Sequence, residues 1–123
     1  MEFDSLSNKA IGCALEVHRE LGPGLLESAY ENCLIHELRT QGIECEQQEP
    51  IPVHYKGIAI DCGYRMDVLV EKQLILELKS VDPLLPIHDA QLLTYMKLAR
   101  VPVGLLMNFN VERLKEGLKR MVL

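Results

Sequence analysis

The sequence has no tryptophan, only two phenylalanines and no long apolar run. A helix that crosses a bilayer needs about 20 consecutive apolar residues, and no stretch of the chain approaches that length. The first ten residues, MEFDSLSNKA, lack the basic region and apolar run that mark a secretory signal. We therefore predict a cytoplasmic protein that has no membrane partner.

Cysteine is scarce, and its spacing follows no known pattern. Cys13, Cys33, Cys45 and Cys62 have neither the close paired spacing of a zinc site nor the density of a small secreted scaffold. We interpret them as reduced thiols, which agrees with a cytoplasmic location.

Positive charge is also low, with 13 Lys and Arg against 18 Asp and Glu and a net charge of −5. Residues 64–123 hold the small basic excess, which includes Arg113, Lys115, Lys119 and Arg120, although a solvated helix face explains these four equally well. Affinity for a polyanion comes mostly from Lys and Arg, so binding to nucleic acid should be weak and sensitive to salt. A nucleic-acid enzyme of this composition is expected to borrow basic surface from a homodimer or from a basic partner protein.

The rest of the composition predicts a single folded domain over residues 1–123, because a chain of this length with 48% hydrophobic content builds one core. Hydrophobic periodicity and the positions of Gly and Pro divide the chain into elements. The predicted elements are a helix capped by Ser5 or Ser7 and ended by Gly22-Pro23-Gly24, a helix up to Gln41-Gly42, short strands within 43–62, a hairpin over 64–80, a helix from Pro86 to about 100, a strand over 103–109 and a closing helix over 111–121.

The hairpin, YRMDVLVEKQLILELKS, is the most informative stretch because it places charged residues inside apolar runs. With Glu71-Lys72-Gln73 as its loop, Asp67 lies directly opposite Glu77, and Lys79 follows two residues along on the same face. Opposed acids destabilise a sheet, so the pattern predicts a compensating cation, either Lys79 or a metal ion. The alternative is that Glu77 and Lys79 lie on a solvated face and pair with neighbouring charges.

This set of residues suits phosphodiester hydrolysis. Two carboxylates offer hard oxygen ligands to Mg²⁺ or Mn²⁺, and such an ion polarises a phosphate and activates a bound water. An ammonium group beside them would steady the negative charge that develops during the reaction.

Asp67 followed by Glu77-Leu78-Lys79 resembles the signature of the PD-(D/E)XK nuclease superfamily, with Met66 in place of the nominal proline. The string from Gly24 to Tyr30 resembles the Gly-x-x-Glu-x-x-Tyr motif that names a set of small proteins related to that superfamily. The resemblance implies an α/β restriction-endonuclease-like core, in which helices flank a small mixed β-sheet. It also implies a Mg²⁺ or Mn²⁺ cofactor and a nucleic-acid substrate, DNA rather than RNA.

Three further residues become candidates through the resemblance. Gln91 and Tyr95 are four apart on one helix face, and they resemble the Gln-x-x-x-Tyr helix of RecB-like members, where they would orient water or a phosphate. The alternative is that Tyr95 packs in the core and Gln91 merely caps it. Glu27 would assist Asp67 and Glu77 in holding the metal, although an acid in the first turn also stabilises a helix dipole.

Two functions follow from these observations. The first is a metal-dependent nuclease in which Asp67, Glu77, Lys79, Gln91 and Tyr95 are catalytic. The alternative is a non-catalytic relative that keeps the fold and acts as an interaction or assembly protein. The complete set of site residues favours the enzyme, whereas the low basic charge favours the alternative.

Overall fold

The computed structural model describes residues 3–123, and within them three α-helices and seven strands. In chain order these are α1 (Ser5–Leu21), α2 (Glu27–Thr40), β1 (Cys45–Pro50), β2 (Val53–Tyr55), β3 (Ile58–Ile60), β4 (Arg65–Val70), β5 (Leu74–Lys79), α3 (Pro86–Ala99), β6 (Val103–Asn108) and β7 (Leu118–Val122).

Five of the strands form one mixed sheet in the order β1-β4-β5-β6-β7. The β5–β6 pair is parallel and the other three pairs are antiparallel. A parallel pair needs a crossover connection, and α3 supplies it between β5 and β6. The remaining strands, β2 and β3, form a separate hairpin between β1 and β4. The predicted α/β class with a small mixed sheet and flanking helices is confirmed.

Helices cover both faces of this sheet. The buried side chains of α1 and α2 form one core with alternate residues of β4, β5 and β6. The side chains of α3 form a second core on the other face, which includes Leu69 and Ile75. Because side chains alternate along a strand, Glu77, two residues after Ile75, belongs to the face that α3 covers.

Gly104 lets α3 approach the sheet closely. A Cβ atom at this position of β6 would lie 2.7 Å from Met96 Sδ and 3.0 Å from Leu92 Cδ1, both on α3. A Cβ contact of 2.7 Å does not occur between packed atoms, so an alanine here would force the Met96 side chain or α3 itself to shift. The position of α3 matters because it carries Gln91 and Tyr95.

The predicted closing helix over 111–121 is wrong. The structure has a short 3-10 turn over Leu114–Gly117, and the chain then continues as β7 along the free edge of β6. A Cβ atom at Gly117 would lie 2.3 Å from the backbone oxygen of Asn108, so this glycine permits the close return. Backbone hydrogen bonds to β6 outweigh the helix propensity of the segment, which is a weak preference.

The basic residues of this last segment are partly neutralised. Lys119 forms an ion pair with Asp89 at 2.9 Å, and Arg120 forms one with Asp4 at 2.8 Å. Asp4 also caps α1, because its Oδ2 atom accepts a hydrogen bond from the backbone nitrogen of Ser7 at 2.9 Å. The helix therefore begins with an aspartate cap, whereas the sequence predicted a serine cap.

The sequence also predicted reduced thiols and no membrane-spanning helix. All four cysteines are free. Across residues 3–123 no helix is both long enough and apolar enough to cross a bilayer.

Candidate active site

The site lies where the regular pairing of β4 with β5 ends. Backbone pairing runs from Val70↔Leu74 to Val68↔Leu76, and the next position brings Asp67 opposite Glu77, as predicted. Here the side chains replace backbone carbonyls as acceptors. The Asp67 nitrogen donates to Glu77 Oε1 at 3.1 Å, and the Leu78 nitrogen donates to Asp67 Oδ2 at 2.9 Å. Each carboxylate is thus fixed by the backbone of the opposite strand.

Of the two opposed acids, Glu77 is buried and Asp67 is half-buried. Glu77 is only 3% exposed. Burial, and then the charge of Asp67, raise the pKa of Glu77 from its ordinary value near 4.5 to about 8. Burial likewise raises the pKa of Asp67. Two like charges in a low-dielectric site disfavour each other, so the pair retains a proton at neutral pH unless a cation compensates it.

Lys79 is the nearby cation, and its positive charge lowers the pKa of both acids to a smaller extent. Within residues 3–123, however, no carboxylate lies within ion-pair distance of it. Its Nζ atom instead donates to Gln91 Oε1 at 3.1 Å. The alternative of a solvated face is wrong for Glu77, which is buried. Lys79 is half-buried and held near the acids without being paired to them.

Gln91 links Lys79 to Tyr95. While its oxygen accepts from Lys79, its Nε2 atom donates to the Tyr95 hydroxyl at 3.1 Å. Tyr95 is buried in the core beneath α3, and this burial raises the pKa of its phenol. Tyr95 therefore packs in the core, as one interpretation of the sequence predicted, and also forms the polar contact with Gln91 that the other predicted. The structure brings Lys79, Gln91 and Tyr95 into one hydrogen-bonded chain.

Glu27, the third predicted metal ligand, lies exposed in the first turn of α2, where its charge contributes to raising the pKa of Glu31. The acid that α2 brings near the paired acids is Glu31, one turn later and only 8% exposed. Burial raises the pKa of Glu31, and the charge of Asp67 raises it further.

Two glutamines of β1 bind Glu31, and one of them, Gln48, connects it to Asp67. Glu31 Oε1 accepts from Gln48 Nε2 at 2.8 Å, and Glu31 Oε2 accepts from Gln47 Nε2 at 2.6 Å. The same Gln48 nitrogen lies 3.3 Å from Asp67 Oδ1. Sequence reasoning missed Glu31, although its spacing of four from Glu27 puts both acids on one helix face and was a usable signal.

Gln48 has an unusual backbone conformation, with φ of +54° inside a strand. It stands opposite Asp67, between the paired positions Gln47↔Val68 and Glu49↔Met66. A non-glycine residue in the left-handed region costs about 1–2 kcal/mol, and such residues cluster at functional sites. Gln48 thus combines a strained backbone with a side chain that donates to both Asp67 and Glu31.

The Gly-x-x-Glu-x-x-Tyr string builds the loop that leads into α2. Gly24 has φ of +97°, a conformation that other residues rarely adopt. The Tyr30 hydroxyl donates to the Gly22 oxygen at 2.6 Å and accepts from the Leu25 nitrogen at 3.1 Å. Ser80, directly after Lys79, donates through its Oγ atom to the Leu25 oxygen at 2.6 Å. The loop is thereby tied to the end of β5.

Asn108 fixes the segment that follows Lys79. It is buried at the end of β6, where its Oδ1 atom accepts from the Val81 nitrogen at 3.1 Å and its Nδ2 atom donates to the Val81 oxygen at 3.0 Å. The Asn108 amide thus bonds to both backbone groups of Val81, as a neighbouring strand would, and fixes the chain just beyond β5. A polar residue at the end of an apolar strand was the available signal, and the sequence analysis did not use it.

The fold and this site together define a restriction-endonuclease-like domain: a mixed sheet between helices, with one acid on a central strand and a Glu-x-Lys on its neighbour. The family model described as the PD-(D/E)XK nuclease superfamily matches residues 4–121, so the chain belongs to that superfamily. Comparison with curated proteins and with solved structures found no significant match.

Proposed function

We propose that the protein hydrolyses phosphodiester bonds in nucleic acids with the help of Mg²⁺ or Mn²⁺, at the pair Asp67 and Glu77. The observation that carries this proposal is the placement of a buried carboxylate, Glu77, opposite a half-buried one, Asp67, at the point where the β4–β5 pairing ends, with Lys79 nearby and in no ion pair within residues 3–123. Membership of a nuclease superfamily supports the same chemistry.

The donor atoms suit a hard divalent cation. Within residues 3–123 no group of three or more His, Cys, Asp or Glu side chains is arranged to hold a metal ion, so the protein offers two carboxylates, Asp67 and Glu77. Two are enough for Mg²⁺, which usually keeps several waters and takes the rest of its ligands from substrate phosphate. Asp67 and Glu77 retain a proton because no sufficient positive charge balances theirs, and a bound cation would supply that charge.

Asp67 and Glu77 would hold the ion, which supplies polarisation of the phosphate and a more acidic water when bound. Glu77 must lose its proton to act as a ligand, so metal binding at neutral pH should release protons. Glu31 keeps Asp67 oriented through Gln48. In this assignment Glu31 takes the assisting role that the sequence gave to Glu27, which keeps its helix-dipole role.

Lys79 has the position of a charge stabiliser. Its ammonium group points to Gln91 and remains available to a phosphate oxygen or to the attacking water. Gln91 can orient it because Tyr95, anchored in the core, fixes the amide of Gln91 in turn. Preorganised donors of this kind speed a reaction by stabilising the charge that develops in the transition state.

We infer also that the chain is one of the GxxExxY proteins, because the Gly24 to Tyr30 string is present and has a structural role. DNA remains the more expected substrate. Since Lys119 and Arg120 are engaged in ion pairs, additional basic surface would come from a second copy of the chain or from a basic partner.

Cleavage assays on single- and double-stranded DNA and RNA test the hydrolysis. We expect cleavage with Mn²⁺, none with chelator, and none by Asp67→Asn. Asp61→Asn is the matched control, since Asp61 is an exposed aspartate shortly before β4 and outside the site. A protein that cleaves none of the four substrates, or that cleaves them equally well in chelator, would refute the proposal and favour a non-catalytic interaction protein.

A further inference from the structure

A cleft of 750 Å³ opens beside the candidate active site, between α3 and the base of the β2–β3 hairpin. Val53 and Tyr64 line it on the hairpin side, and Ile87 and Leu98 line it on the α3 side. Its size is within the range of typical ligand sites, about 300–1,000 Å³. Lys79, Gln91 and Tyr95 also belong to its lining, so the cleft is continuous with the active site.

Tyr64 presents an aromatic ring to this cleft. The residue is 45% exposed, although most aromatic rings of this size are better covered. Its ring centroid lies 5.9 Å from that of Tyr95, with 52° between the planes. The Tyr64 backbone oxygen accepts from the Ile51 nitrogen at 2.9 Å. The ring is therefore supported on one side and open on the other, which is the arrangement of a stacking platform.

The charge around the cleft does not suit a double helix. Lys79 is the single Lys or Arg among the described residues that line it. A duplex is held mainly by several Lys and Arg contacts to the phosphates of two strands. A mostly apolar wall with one ammonium group fits instead a flat aromatic base and one neighbouring phosphate.

We propose that the cleft binds an unpaired base of a single-stranded nucleic acid, stacked on Tyr64, beside the phosphate at the active site. The position of the cleaved phosphate rests on the proposed function, whereas the binding of the base does not. A base inside a duplex is stacked and paired, so only a single strand offers one without the cost of unpairing.

Equilibrium binding separates the two claims. Fluorescence anisotropy would follow a labelled single strand, as DNA and as RNA, and duplexes of the same sequences. The protein would carry Asp67→Asn in chelator, so that nothing is cleaved and one repelling charge is removed. We expect the single strand, in the DNA set or the RNA set, to bind about tenfold more tightly than its duplex.

Variants at two tyrosines test the platform. Tyr64→Ala and Tyr64→Leu should each weaken single-strand binding about tenfold, because both remove the ring, and Tyr64→Phe should restore most of it. Tyr55→Ala is the matched control, since Tyr55 is a 57% exposed tyrosine on the β2–β3 hairpin that does not line the cleft. Unchanged circular dichroism would show that the variants fold.

Equal binding of duplex and single strand, or an unchanged affinity in Tyr64→Ala, would overturn the proposal. Tyr64-dependent binding of single strands without hydrolysis under Mn²⁺ would support the base cleft and refute the proposed hydrolysis. Metal-dependent cleavage that Tyr64→Ala leaves unchanged, with unchanged affinity, would refute the cleft and leave the hydrolysis standing.

Discussion

The two ends of the β4–β5 hairpin are held together by different means. At the turn end, Val68, Leu69 and Val70 pair with their partners through backbone hydrogen bonds and bury apolar side chains. At the other end, Asp67 and Glu77 accept the backbone donors of the opposite strand. The first end satisfies its polar groups with no charge, whereas the second holds a buried acid, Glu77, and a half-buried one, Asp67. Only the second end has negative charge that a cation from outside the chain would compensate, and this indicates a ligand site.

The two ends also differ in backbone strain. At the turn end, Glu71 and Lys72 both have positive φ, and the Gln73 nitrogen donates to the Val70 oxygen at 2.9 Å. This strain serves the connection alone. At the acidic end, the strained residue is Gln48 on the neighbouring strand, and its side chain reaches the acids. Matched substitutions at the two ends can therefore separate function from folding.

The largest expected effect is on catalysis. Lys79→Ala should reduce cleavage at least about 100-fold, because removing one preorganised charge stabiliser commonly costs that much in rate. Its thermal stability should change little, since Lys79 makes no ion pair within residues 3–123. Lys72→Ala, at the turn end of the same hairpin, should cleave normally. Initial rates with Mn²⁺ measure both, and retained cleavage by Lys79→Ala would make Lys79 structural.

The second prediction concerns pH. Between its ordinary pKa near 4.5 and its folded pKa of about 8, Glu77 is protonated in the native state and ionised in the unfolded chain. The native state then binds more protons, so the free energy of unfolding falls as pH rises through this window, by up to about 1.4 kcal/mol per unit. Urea unfolding of the metal-free protein from pH 5 to 8 measures this slope.

Two glutamine variants locate the source of the slope. Glu77→Gln should flatten it and raise the stability of the metal-free protein at pH 8 by about 2 kcal/mol, because an amide keeps the acceptor oxygen without the charge. Glu71→Gln, at the turn end, should leave the slope unchanged. If Glu77→Gln instead destabilises the protein at pH 8, the buried pair is not in conflict and has no need of a cation.

The acidic end was predictable from sequence because it breaks a local pattern. Asp67 and Glu77 interrupt apolar runs whose period of two fixes the face of each side chain. Lys79 follows from the same alternation. The apolar strand of β6 and the three helices follow from equally local signals, in the hydrophobic periodicity, the glycine stops and Pro86.

The parts that were not predicted depend on tertiary neighbours. Glu31 joins the site only because α2 packs beside β1, where Gln47 and Gln48 reach it. The last strand forms because β6 leaves an edge free, and nothing within residues 118–122 indicates that edge. In the last segment, a weak local preference for a helix lost to the hydrogen bonds with β6.

The third prediction is that Mn²⁺ stabilises the protein more at pH 8 than at pH 6. Protons compete with the ion for Glu77, so the apparent affinity should rise towards the folded pKa of about 8. An ion at about 100 times its Kd adds about 2.7 kcal/mol to the free energy of unfolding. Melting temperatures with and without Mn²⁺ measure the difference. A shift that Glu77→Gln retains would place the ion elsewhere.

The smallest effect belongs to the turn end. Lys72 has φ of +55° in the hairpin loop, a conformation that costs a side-chain-bearing residue about 1–2 kcal/mol and costs glycine almost nothing. Glycine loses more entropy on folding, so Lys72→Gly should stabilise the protein by only about 0.5 kcal/mol, with cleavage unchanged. Gln48→Gly relieves the same backbone strain but removes the link between Glu31 and Asp67, so it should lower cleavage. Urea unfolding together with cleavage rates compares the two, and equal rates in both glycine variants would show that the strain at Gln48 has no functional role.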